Sequence, residues 1–176
     1  MNLRKANKSD LEKIVELYRR AAETPNGIAR IAEEITENYV SDFLNNALAK
    51  GLIFVAENPQ DPKKLIAEIH CYRFDPSCFK HTLANLTLVV HPNFQGQGVG
   101  KTIFSHLLEE IKSTHQEIVR VELTVRQSNP KTIGLYKKLG FKIEGICEKR
   151  ILNAAGELES DTMMAWLNPT YKSLQQ

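Results

Sequence analysis

The segment Leu88-Val89-Val90-His91-Pro92-Asn93-Phe94-Gln95-Gly96-Gln97-Gly98-Val99-Gly100-Lys101 limits the possible folds more than any other part of this chain. An apolar run stops at a proline and three glycines follow at alternate positions. Helical periodicity then begins inside the glycines, with Val99, Ile103, Phe104, Leu107, Leu108 and Ile111 at spacings that share one face. The pattern is strand, tight turn, helix. Glycines let the backbone approach a bulky ligand and turn several N–H groups the same way. A helix N-terminus adds the positive end of its dipole, so the turn suits a pyrophosphate. The competing reading is a connection that merely needs positive φ, and three glycines at alternate positions weigh against it.

Two familiar phosphate turns do not fit. The P-loop pattern G-x-x-x-x-G-K-[ST] finds its closing triplet in Gly100-Lys101-Thr102, but Gln95 stands where its first glycine belongs. The dinucleotide fingerprint G-x-G-x-x-G fails because the spacing is Gly96-x-Gly98-x-Gly100.

Around this turn the chain alternates helices and strands. A short strand is expected at 2–5, and Ser9 with Glu12 reads as a capping box for a helix carrying Leu11, Ile14, Val15 and Tyr18. Thr24-Pro25-Asn26-Gly27 breaks it. A second helix is expected over 32–49, with Ile35, Tyr39, Phe43, Ala47 and Leu48 as its stripe. Strands follow at 52–57, 64–74 and 83–91, then the helix at 98–113. Val119, Val121, Leu123 and Val125 alternate with Arg120, Glu122, Thr124 and Arg126, which is a strand with one buried face. Asn129-Pro130 opens a short helix that Gly140 ends, and 142–152 with 158–167 form a hairpin across Asn153-Ala154-Ala155-Gly156-Glu157. The order β-α-α-β-β-β-α-β-α-β-β gives an α+β fold with a mainly antiparallel sheet.

Length and composition narrow the function. At 176 residues, one domain over 1–176 is expected. A net charge of +2 is too small for a general nucleic-acid or anionic-membrane binder, so neither partner is expected. No apolar run reaches the roughly 20 residues of a membrane span, and residues 1–6 do not read as a signal peptide. A cytoplasmic protein is expected. Cys71, Cys78 and Cys147 form neither a disulfide framework nor a zinc site, and the five histidines show no ligand spacing, so no metal is expected.

The glycine segment resembles the GNAT superfamily of acyl-CoA-dependent N-acyltransferases. The superfamily signature Q/R-x-x-G-x-G/A is met by Gln95-Gly96-Gln97-Gly98-Val99-Gly100. A second signature, an Asn followed by a short helix ending in Tyr-x-x-x-Gly-Phe, is met by Asn129 and Tyr136-Lys137-Lys138-Leu139-Gly140-Phe141. The resemblance covers nearly the whole chain and implies the GNAT fold, a mixed, mostly antiparallel sheet with helices on both faces. It implies acetyl-CoA as co-substrate and a primary amine as acceptor, attacked directly in a ternary complex, and it is compatible with a homodimer.

It also implies a division of labour. Backbone groups of Leu88, Val89 and Val90 would pair with the pantetheine arm, and an amide near Val90 would polarise the thioester carbonyl. Amides of Gln95, Gly96, Gln97, Gly98, Val99, Gly100 and Lys101 would hold the pyrophosphate. Asn129 would contact the pantetheine, and Tyr136 would donate to the leaving thiolate. As a residue at helical spacing, Tyr136 would otherwise read as core.

The general base is where this chain departs from its better-known relatives. Histone-lysine acetylating members carry a Glu where Ala84 stands, and members that acetylate ribosomal-protein amino termini carry one where Thr124 stands. Glu68 and Glu122 lie in expected strands and are the candidates, acting directly or through water, although each reads first as a paired or solvated carboxylate. Segments 122–125, 140–145, and 156–157 with 161–165, are similar to bacterial acyltransferases for free amino acids and small amines. A small-molecule amine is therefore the expected partner, with protein amino termini or lysines, or CoA binding without turnover, as alternatives. The substrate wall is expected from 28–39 and 74–82, where Tyr39, Tyr72 and Phe74 line a pocket or fill the core.

Overall fold

The structure, a computed structural model, describes residues 1–24, 28–153 and 155–171. Strand β1 (Asn2–Lys5) leads into helix α1 (Leu11–Ala22), whose Ile14, Val15, Leu17, Tyr18 and Ala21 are buried. The cap lies two residues before the expected one. Asn7 is extended and its side chain accepts from Ser9 N, while Asp10 Oδ2 accepts from Asn7 N at 3.0 Å. A single 3-10 turn, Lys8–Asp10, separates this box from α1. Asp10, held by Arg4 of β1 through two 2.7 Å bonds, fixes the box there instead of at Ser9 and Glu12. The expected break at Pro25-Asn26-Gly27 lies outside the described residues.

Helix α2 (Glu37–Lys50) starts later than expected. Residues Ala32–Glu34 form a separate 3-10 turn, and Thr36 is extended with its Oγ1 accepting from Tyr39 N at 3.2 Å. A threonine hydroxyl at that position satisfies an orphan amide and sets the helix start. Val40, Phe43, Leu44 and Ala47 form the buried stripe, and Leu48 is exposed.

Then come β2 (Gly51–Asn58), β3 (Asp61–Tyr72), β4 (Thr82–Val90), α3 (Val99–Thr114), β5 (Arg120–Arg126), α4 (Pro130–Lys138), β6 (Lys142–Leu152) and β7 (Leu158–Leu167). The hydrogen-bonded order is β1-β2-β3-β4-β5-β7-β6. The pairs β1–β2, β2–β3, β5–β7 and β6–β7 are antiparallel and β4–β5 is parallel, so the sheet is mixed. Strand β3 ends at Tyr72 and not at Phe74. Of the β6–β7 connection, Ala154 lies outside the described residues. No described helix is long and apolar enough to cross a membrane.

Contacts group the chain into two units, Met1–Tyr72 with Thr87–Glu109, and Arg73–Leu86 with Glu110–Gln176. In the first, Ile53, Val55 and Val89 pack with Ile14, Leu17, Tyr18, Phe43 and Leu44 of α1 and α2. Successive strand residues face opposite ways. Phe54 accordingly meets His106 of α3 edge-on at 4.8 Å, so helices cover both faces of this unit's strands. In the second unit, Val121, Leu123 and Val125 form the buried face that the sequence alternation predicts. There Gly140 takes φ +94°, and an added Cβ would stand 3.3 Å from the Trp166 indole.

Candidate active site

Strand β4 lies between β3 and β5 in the pairing order. Its register with β5 covers only Thr82 with Arg120 and Leu83 with Val121. Asn85 then takes φ +53°, outside the extended region, and is exposed. Leu88 and Val90 are half-buried and Val89 is buried. On the β3 side, His91 N still donates to Ile66 O at 2.8 Å.

Beyond Val90, Pro92–Phe94 make one 3-10 turn, capped by the His91 ring accepting from Asn93 N. Gln95 donates through Nε2 to Val90 O at 3.1 Å, and Gln97 through Nε2 to Asn93 O at 2.8 Å. These two amides cross-brace the turn from within. Gly96 and Gly98 have φ of +73° and +84°, and a Cβ on either would meet open space. The glycines are therefore required by backbone conformation and by approach from outside, not by internal crowding. Gly100 is different, since an added Cβ would lie 3.4 Å from Val90 and 3.5 Å from Leu88, so it lets α3 sit close to β4.

The first turn of α3 closes with Thr102 N donating to Gly98 O at 3.0 Å, and the Thr102 hydroxyl bonds the same oxygen. The amides of Val99, Gly100 and Lys101 precede that ladder at the positive end of a helix running Val99–Thr114. An open, glycine-lined turn with unladdered amides suits a pyrophosphate, and a half-exposed strand edge suits an amide-bearing arm. The residues present thus fit acetyl-CoA.

In the second unit, Asn129 caps α4, its Oδ1 accepting from Thr132 N at 3.1 Å. Tyr136 is buried on α4 with its ring 6.0 Å from Phe141. Burial pushes its phenol up to about 12, so it stays protonated at neutral pH and can donate. Glu122 receives Arg120 Nε at 2.8 Å, and the same guanidinium holds Glu144.

Glu68 lies inside the first unit with no exposed surface. Tyr18 donates to its Oε2 at 2.6 Å, and His70 Nδ1 lies 3.0 Å from its Oε1. Phe43 stacks on the His70 ring at 4.2 Å and 12°, Tyr72 lies beyond it at 6.0 Å and 14°, and Tyr39 packs edge-on against Phe43 at 5.4 Å. The Arg30 guanidinium stands 4.0 Å over the Tyr39 ring. Of the expected pocket residues, Tyr39 and Tyr72 join this cluster, whereas Phe74 packs against Phe79. The sequence shows Tyr18 only as a helix-face residue and does not single out Arg30 or His70 for the site. The spacing Glu68-x-His70 was the available signal, since it puts both side chains on one face of a strand.

The acetyltransferase (GNAT) family model matches residues 11–141. The chain is 26% identical over 149 residues to the peptidyl-lysine N-acetyltransferase YjaB of Salmonella typhimurium, covering 84% of this chain and 88% of that one. It is 24% identical over 175 residues to the L-amino acid N-acyltransferase MnaT of Escherichia coli, covering 99% and 94%. A phosphinothricin acetyltransferase from Sinorhizobium meliloti, solved in complex with AcCoA, superposes with a TM-score of 0.80 at 19% identity, covering 99% of this chain and 91% of that one. The match spans most of the chain, and the fold has the expected strand and helix order, so this protein belongs to the acetyltransferase (GNAT) family.

Proposed function

We propose that this chain transfers the acetyl group of acetyl-CoA to the primary amine of a small molecule such as an amino acid or a polyamine, by direct attack in a ternary complex. One observation carries the reading. Gly96 and Gly98 take positive φ with open space over their α-carbons, immediately before the unladdered amides of α3. We take residues 1–176 as one catalytic domain, a reading supported by a family match that runs through both units.

When bound, acetyl-CoA supplies an activated acetyl group on a leaving thiol. Amides from Gln95 to Lys101 bind its pyrophosphate, and the Leu88, Val89 and Val90 backbone extends along its arm. The amide near Val90 orients the carbonyl, Asn129 contacts the arm, and the Tyr136 phenol holds a proton for the departing sulfur. An amine is mostly protonated at neutral pH, so a proton must also be accepted. Glu122 is part-exposed and paired with Arg120, and Glu68 is sealed beneath Tyr18 and His70, so Glu68 meets an amine only through an intermediary.

The small-amine reading is supported by similarity to an L-amino acid N-acyltransferase over 99% of the chain. A peptidyl-lysine acceptor is the second reading, favoured by the 26% identical relative. The test is free-thiol release from acetyl-CoA with amino acids, polyamines and lysine-containing peptides. Release with a free amino acid or polyamine is expected. Release with lysine peptides alone would favour the second reading, and none with any amine would refute both.

A further inference from the structure

The structure assigns the amine's proton to His70 Nε2, with Glu68 and Tyr18 as positioning residues that fix the imidazole; this inference rests on the transferase reading above. Tyr18 has a single hydroxyl proton and spends it on Glu68 Oε2 at 2.6 Å, while its oxygen lies 3.5 Å from His70 Nδ1. The 3.0 Å contact between His70 Nδ1 and Glu68 Oε1 therefore needs the proton on Nδ1 when Glu68 is a carboxylate. A neutral ring so arranged keeps its lone pair on Nε2.

That nitrogen is available. Among the described residues Nε2 has no hydrogen-bond partner. It is also absent from the sealed, unpartnered side-chain atoms, which are Arg73 Nε and His115 Nε2. His70 keeps 3% of its surface exposed. Phe43 stacks on the ring at 4.2 Å and Tyr72 lies nearly parallel to it at 6.0 Å, which restricts its rotation. A carboxylate on Nδ1, a packed ring and an Nε2 without a partner are the parts of a general base.

The ring also stands beside the strand segment assigned to the acyl donor. His91 N donates to Ile66 O between β3 and β4. Glu68 and His70 lie two and four residues after Ile66 on β3, and Val89 and Thr87 lie two and four residues before His91 on the neighbouring β4. Val89, like Tyr18 and Phe43, belongs to the buried cluster on this face. Other titratable groups near the ring are Tyr39 of α2, under Arg30, and Tyr72 of β3.

The step balances. The attacking amine is the neutral form, its ammonium proton having passed to solvent; its nitrogen lone pair forms the C–N bond to the thioester carbonyl carbon, and His70 Nε2 takes, directly or through one water, the N–H proton that the new bond makes acidic. The C–S bond breaks with its electron pair on sulfur, and that thiolate takes the Tyr136 phenolic proton. The imidazolium proton then passes through solvent to restore the phenol, leaving an N-acetylamine and a free thiol.

Two measurements on the full chain test the assignment. Side-chain nitrogen NMR, with the His70 signal identified by its loss in His70→Gln, should show Nδ1 protonated and Nε2 bare at neutral pH. The opposite tautomer overturns the assignment whatever the activity. The second is the pH dependence of acetyl transfer to the best wild-type amine. His70→Gln should lower kcat by about 100-fold or more, abolish the acid limb and leave acetyl-CoA affinity unchanged. Glu68→Gln should lower kcat at unchanged KM, as loss of a positioning residue does. A His70→Gln protein with the wild-type melting temperature, kcat and acid limb overturns the assignment and leaves the transferase reading intact. Wild-type protein that acetylates no amine overturns the reading itself. Should His70→Gln fail to fold, the wild-type tautomer, assigned by elimination against the other four histidines, and the Glu68→Gln split between kcat and KM still decide.

Discussion

Tyr18 and Glu68, 50 residues apart in the chain, meet through a 2.6 Å hydrogen bond in the buried interior of the first unit. Burial, then the charge and hydrogen bond of Glu68, raise the Tyr18 phenol well above its usual range, so it stays a donor throughout the working pH span. Removing it strands a buried acceptor. Tyr18→Phe is expected to cost about 1–3 kcal/mol, read from denaturant unfolding. An unchanged midpoint and slope would mean that water replaces the phenol.

Tyr136→Phe should lower kcat more than it changes acetyl-CoA affinity, as loss of a donor used only in the transition state does. With the phenol pushed up to about 12, its proton is lost only above that pH. Tyr136 should therefore contribute no alkaline limb between pH 7 and roughly 10. A stopped-flow profile that falls in that interval in wild type, but not in Tyr136→Phe, would contradict this.

Gly98→Trp should abolish acetyl-CoA binding in calorimetry by filling the open turn. Gly98→Ala should retain partial binding and lose about 1–2 kcal/mol of stability, because φ of +84° is strained for any residue with a Cβ. Full binding by the tryptophan variant would remove the turn from the site.

Asp10 links pH to stability. Burial acts to raise its pKa, but the Arg4 bonds, the Asn7 amide and the Arg4 and Lys13 charges outweigh it and hold the carboxyl below its usual range. A group depressed in the folded state stabilises above its unfolded pKa of about 3.9, and that contribution disappears as pH falls through the folded value. Asp10→Asn should therefore destabilise near neutrality, by about 1.5–3 kcal/mol for a lost charge-assisted pair, and make little difference in strong acid. Equal destabilisation at both extremes would show that geometry matters and charge does not.

The parts of this fold with one dominant physical signal were legible in the chain. Strands β1, β6 and β7 have the expected bounds, and β5 buries the face that its alternation predicts. The misplaced details depend on tertiary partners. Asn7 and Asp10 displace Ser9 and Glu12 as the cap because Arg4 reaches Asp10 from a neighbouring strand. The start of α2 moved to Glu37 because Thr36 caps it, and nothing in periodicity separates the 3-10 turn before it. In β3, residues 65–71 are buried on both faces, so no alternation exists to show which way Glu68 points. The glycine turn was readable because it needs rare backbone conformations. The Glu68–His70 pair was not, because its meaning depends on Tyr18 and Phe43 arriving from two helices.

The central claim is acetyl transfer to a small amine, and the most direct measurement is the identity of the product. Purified protein would be incubated with acetyl-CoA and an equimolar mixture of amino acids, polyamines and a lysine-containing peptide, and the products identified by mass spectrometry. The expected result is an N-acetylated free amino acid or polyamine, formed in step with free thiol. An acetylated peptide as the sole product, or intact acetyl-CoA beside unmodified amines, would contradict the account.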